Sequence, residues 1–162
     1  MTITTAVCNQ FKADILAMNV HAAGNTYKLA LIKSSASRSY DATQSNAGPS
    51  AGFGTGTPSA SLLGTDAVAA SGTYGVTGFT LNAPSATLQS STTGCLDFGA
   101  APSAATGTTI SADGAIIYNA TETNGKSLAV YAFAGNPIVS VGGSFTITFP
   151  SVAAATSLIR IA

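Results

Sequence analysis

Short apolar runs, each cut off by turn-forming residues, fill the second half of this chain and commit it to strands. Residues 108–119 contain Ala115-Ile116-Ile117-Tyr118, and the next run is Ser127-Leu128-Ala129-Val130-Tyr131-Ala132-Phe133. Between them lies Thr123-Asn124-Gly125-Lys126, and Asn-Gly is the strongest short hairpin signal because both residues tolerate positive φ. Cys95-Leu96-Asp97-Phe98 is another run, Phe145, Ile147 and Phe149 alternate until Pro150, and residues 157–161 close the chain. Tyr74, Val76, Phe79 and Leu81 mark one or two strands broken by glycines, and Tyr27, Leu29 and Leu31 mark an earlier one. Roughly six to eight antiparallel strands at this spacing predict a mainly β fold, an antiparallel β-sandwich or jelly roll.

One helix is expected, at the N-terminus and packed outside the sheets. Val7, Phe11, Ile15 and Met18 follow at spacings of 4, 4 and 3 and form one apolar stripe, with Lys12 and Asp14 off it. Thr4 or Thr5 can cap the first turn, and Ala22-Ala23-Gly24-Asn25 ends the segment. This predicts a helix over about residues 4–20 with a buried stripe. The length of 162 residues suits one domain over 1–162.

Ala, Thr, Ser and Gly make up 88 of the residues, whereas only 12 are charged and these cancel to zero. A neutral chain lacks the basic stripe that nucleic-acid binding requires, and it has no polybasic membrane anchor. No run approaches the roughly 20 apolar residues of a membrane-spanning helix. Residues 1–12 lack a basic start followed by an apolar core, so no secretory signal is expected. Cys8 and Cys95 form no CxxC pair and have no neighbouring histidine; two reduced, half-buried thiols are the reading, with a disulfide as the alternative.

Residues 34–64 are rich in Ser, Ala, Gly and Pro, and from residue 42 to 96 the single charge is Asp66. A segment this long is uncommon inside a compact domain. It reads as an arm lying on a neighbouring subunit, with a surface loop as the alternative. Tyr40, Pro49, Phe53 and Pro58 are its candidate partner-binding residues.

Catalytic patterns are missing. His21 is the one histidine, and it reads as a partly buried or surface side chain. The carboxylates Asp14, Asp41, Asp66, Asp97, Asp113 and Glu122 are scattered, so no acid–base pair follows from spacing. Gly52, Gly54 and Gly56 do not make GxGxxG, no GxSxG occurs, and Asn119-Ala120-Thr121 is a chance sequon. No enzyme, metal or cofactor is expected.

From end to end the chain resembles a family of small structural proteins of tailed bacteriophages. The resemblance rests on Ile3-Thr4-Thr5-Ala6-Val7-Cys8-Asn9-Gln10-Phe11-Lys12, on Tyr27-Lys28-Leu29-Ala30-Leu31 followed by Ser34-Ser35-Ala36, and on Gly114-Ala115-Ile116-Ile117-Tyr118-Asn119. Gly143-Ser144-Phe145-Thr146-Ile147-Thr148-Phe149-Pro150 and Leu158-Ile159-Arg160-Ile161 complete it, while residues 39–94 match least and carry extra length. The resemblance implies a virion structural protein with no catalytic or metal-binding residues to carry over. Its expected role is capsid decoration, binding the outside of the major capsid protein and stabilising the head, as a homo-oligomer with a trimer favoured. Its expected place is the capsid surface of the virion, after synthesis in the host cytoplasm; the alternative is a tail or fibre component that recognises the host surface. Low charge agrees with a packed shell, because little electrostatic repulsion keeps such a chain apart from its neighbours.

Overall fold

The computed structural model describes residues 2–18, 20–36, 39–45, 66–75, 77–99, 105–122 and 125–161. Among these the fold is mainly β, with antiparallel sheets and one helix, in keeping with a sandwich. Its organising element is a strand of 15 residues, Ala105–Asn119, which at about 3.3 Å per residue is roughly 50 Å long. In chain order the elements are β1 (Ala6–Val7), α1 (Asn9–Ala17), β2 (Tyr27–Lys33), β3 (Phe79–Thr80), β4 (Ser85–Gln89), β5 (Thr93–Asp97), β6 (Ala105–Asn119), β7 (Lys126–Ala132), β8 (Ile138–Phe145) and β9 (Ile159–Ile161).

β6 is too long for one partner on each side. Residues 112–119 pair with β2 along one edge, and residues 114–119 pair with β7 along the other. Ala112 is opposite both Lys33 and Ile138, so β8 lies on the edge that β7 uses and pairs with residues 105–112. The chain from β7 through β8 therefore runs back along β6, interrupted at residues 133–137. The large sheet has the order β1-β7-β6-β2-β3 with β8 on β6, and the small sheet has the order β4-β5-β9. Residues 112–119 are all buried, which explains why they read as an apolar run without alternation.

The helix is shorter than the apolar spacing predicts. Residues 6–7 pair with Val130 and Ala129 instead, because the edge of β7 offers unpaired backbone groups that a strand satisfies. Cys8 is the N-cap and makes no side-chain capping bond. The two threonines are used elsewhere: the Thr4 N–H donates to the Tyr40 carbonyl, and Thr5 Oγ1 accepts from the Ala132 N–H at 2.9 Å. The buried face is Cys8, Phe11 and Asp14, while Met18, in the left-handed C-cap conformation, is 91% exposed.

Most other expected strands form. The hairpin at Gly125 (φ 59°) joins β6 to β7. Among the described residues of the glycine-broken stretch, Phe79–Thr80 forms a strand, beside a bridge between Ser71 and Tyr74. The strand expected at residues 144–149 is displaced to Ile138–Phe145. Phe145, Ile147 and Phe149 still alternate inward with exposed Thr146 and Thr148. β4 has no counterpart among the expected strands.

Small residues and tyrosine hydroxyls do much of the fastening. Gly78 (φ 85°) lies where a Cβ would meet the Leu29 carbonyl oxygen, so β3 approaches β2 only as glycine. The hydroxyls of all five tyrosines in the chain bind backbone or a buried acid. Tyr27 donates to the Ala22 carbonyl, Tyr118 to Thr77 and Tyr131 to Leu158, at 3.0, 2.7 and 2.6 Å. Tyr74 accepts from the Leu31 N–H at 2.8 Å, closing the edge of β2 beyond β3.

Two substitutions test this framework by denaturant unfolding. Tyr74→Phe leaves the buried Leu31 N–H without that acceptor and is expected to cost about 1–3 kcal/mol; an unchanged midpoint contradicts the anchoring role. Phe11→Ala is expected to cost about 3 kcal/mol, at the low end for an aromatic because an open cleft adjoins the ring. No loss of stability contradicts the placement of Phe11 in the core.

Candidate functional site

The arm's best-placed partner candidate is in fact a core residue. Tyr40 is fully buried, and its hydroxyl donates to Asp66 Oδ2 at 2.6 Å. Its N–H donates to the Thr2 carbonyl, and its own carbonyl accepts from Thr4, so the ring is not available to a partner. The residues that follow are also tied to the domain: the Asn9 N–H donates to the Ala42 carbonyl and the Ser127 N–H to the Ser45 carbonyl. Residues 39–45 are thus part of the domain rather than of an arm. Pro49, Phe53 and Pro58 lie outside the described residues.

His21 joins a buried polar cluster with Asp14 and Asn119. Its Nε2 is 3.4 Å from Asp14 Oδ2, and Lys126 Nζ is 3.4 Å from Asp14 Oδ1, which also accepts from Gln10 at 2.8 Å. The amide of Asn119 is oriented by backbone: Nδ2 donates to the Val20 carbonyl at 3.0 Å and Oδ1 accepts from the Thr121 N–H at 3.1 Å. That orientation aims Nδ2–H at His21 Nδ1, 3.4 Å away, so Nδ1 is the acceptor and the neutral ring carries its proton on Nε2, facing Asp14. Nδ1 faces the Asn119 amide, while Nε2 and Asp14 Oδ2, both buried, lie 3.4 Å apart without a formed hydrogen bond. Burial lowers the His21 pKa, against the opposing pull of Asp14.

Beside this cluster opens a cleft of about 440 Å³ between α1 and the small sheet. Phe11 and Ile15 of α1 line it with Ala86, Thr87 and Leu88 of β4, over a floor that includes Tyr27, Leu128 and Ile159. Alternate residues of a strand point to opposite faces. Ala86 pairs with Leu96 and Leu96 with Ile159, as Leu88 pairs with Gly94 and Gly94 with Ile161; all six line the cleft, so it lies over one face of the small sheet, with β4 at its outer side. No Asp, Glu, Lys or Arg lines it. Leu88 stands at its rim, 69% exposed.

The second surface feature is β8. Val139 and Val141 are 58% and 79% exposed on one face of it. Its outer edge has no strand partner among the described residues. A larger cleft of about 860 Å³ is lined by Tyr131, Phe133, Phe145, Ile147 and Phe149, with Arg160 as its charged residue. Cys8 and Cys95 are free and buried, and burial pushes the Cys8 thiol up to about 12. Among the described residues no cluster of three or more His, Cys, Asp or Glu could hold a metal ion.

Comparison with protein-family models, curated proteins and solved structures finds no match to this chain. What can be said of its site comes from geometry. The arrangement offers no catalytic constellation among the described residues; it offers apolar contact and open backbone. Sequence reading missed Leu88, Val139 and Val141. The signal that could have found them is absence of charge, since residues 67–96 and 127–159 carry none.

The His21 geometry gives a pH dependence. A histidine whose folded pKa is depressed binds fewer protons folded than unfolded, so its contribution is intact above the unfolded value of about 6.5 and is lost as pH falls below it. Asp14, Lys126 and Glu122 are the charged groups acting on the ring. Relative to His21→Gln, the wild type is expected to lose additional stability between about pH 7 and pH 5. Parallel stability–pH curves for the two proteins contradict this.

Proposed function

We propose that the protein is a structural component of a tailed-bacteriophage virion, decorating the head by binding the outside of the major capsid protein as a homo-oligomer. One observation supports this reading beyond the sequence resemblance: among the described residues, the uncharged strands β4 and β8 each keep one edge without a strand partner. A free protein ordinarily blunts such edges with charge or proline, because unpaired N–H and C=O groups recruit other chains. A subunit of an assembly uses them.

The mechanism is avidity. A neutral subunit has no long-range steering and a limited contact area, so each contact is weak. Linking copies makes later contacts intramolecular and raises overall binding by about 10² to 10⁴. A protein that binds the assembled shell and not its separated subunits stabilises the shell by mass action.

Heads lacking the protein are therefore expected to form but to release their contents at lower temperature. Adding purified protein restores heat resistance, without a cofactor and with little dependence on salt. Heads that are equally heat-stable without it, on particles that fail to attach to cells, overturn the decoration reading in favour of a tail or fibre component.

A further inference from the structure

The groove beside α1 specifies its occupant by what lines it. The outer edge of β4 has no strand partner among the described residues, so its outward backbone groups suit a chain in extended conformation. The lining carries no charged side chain, so a charge brought into it would be buried without a counter-ion. Successive side chains of an added strand point alternately toward and away from the groove, so apolar residues two apart fill it.

β8 has all three properties. Residues 138–141 pair regularly with residues 112–109 of β6, which holds them extended and leaves the other edge open. Val139 and Val141 stand two apart and exposed on one face. No charged residue occurs from 127 to 159, so the approach brings no repulsion or unpaired ion. Other exposed apolar groups do not fit as well: Leu16 and Met18 belong to the helix and its cap, and β9 carries Arg160.

We infer that β8 of one copy docks along β4 of the next, setting Val139 and Val141 against the groove between α1 and β4. The two surfaces differ, so the contact is head-to-tail and gives a ring where the rotation between copies closes. Ile15 and Leu88 form the rim that excludes water from the seated valines. This rests on the homo-oligomer part of the function proposed above and names the contact that builds it.

Leu88→Lys spoils the groove and Val141→Lys spoils the inserted strand; both side chains are exposed, so the fold is retained, as circular dichroism and thermal melting verify. Light scattering coupled to size exclusion is expected to give a multi-chain mass for the wild type and a single-chain mass for each variant alone. Mixed in equal amounts, the two variants are expected to form pairs, because the intact β8 of one meets the intact groove of the other. A two-fold contact of either surface with itself cannot do this. Val139→Lys and Ile15→Lys repeat the experiment with independent substitutions. A single-chain wild type, a variant that keeps the wild-type mass, or a mixture that stays single-chain overturns the contact. Head binding that survives in such a case leaves the decoration reading standing, whereas a ring that forms and does not bind heads overturns that reading alone.

Discussion

Backbone pairing along β6 is the constraint from which the rest of the structure follows. A buried strand must have its N–H and C=O groups satisfied on both sides. β6 meets that demand with three partners: β2 on one edge, and β7 followed by β8 on the other. Covering both faces of residues 112–119 then requires the irregular segments to pack onto the sheet. In a chain with 12 charges, hydroxyls and close backbone approach do this in place of ion pairs. Tyr118 holds Thr77, Tyr131 holds Leu158, and Gly114 of β6 lies so close to the Tyr131 carbonyl of β7 and to Ile3 that a Cβ would collide with both. The same economy leaves β4 and the far half of β8 open, because no segment described is placed to cover them.

The central strands are legible in the sequence because their signals are local. The alternation of Tyr27, Leu29 and Leu31, the apolar run of β6 and the Asn124-Gly125 turn each need only their neighbours. β4 was not legible: Ser85-Ala86-Thr87-Leu88 is exposed throughout, so no alternation marks it, and its strand character comes from pairing with β5. The helical stripe was half right. Phe11 is buried as the spacing requires, but Val7 belongs to β1 and Met18 faces solvent, because strand pairing with β7 overrides helical propensity at its start.

Tyr40 shows the limit of composition as a guide. It sits among serines and turn formers that read as surface loop, yet Asp66, 26 positions away, receives its hydroxyl and takes it into the core. The groove was equally hidden. Phe11, Tyr27, Leu88 and Ile159 come from four separated segments, and no period in the sequence encodes their meeting. The lasting clue is the absence of charge over residues 67–96 and 127–159, which suits the exposed parts of these segments to apolar contact. Under the proposed function, these surfaces and the open edges recognise partners through backbone and small apolar side chains, made strong by repetition.

Amide hydrogen exchange, followed residue by residue in the dissociated chain and in the assembled protein, tests this account most directly. The slowest amides are expected in residues 112–119 of β6, exchanging only through global unfolding, whereas the outward amides of β4 and β8 exchange fast in the dissociated chain and become protected on assembly. Amides of β4 and β8 that are already protected in the single chain, or that exchange at the same rate after assembly, contradict it.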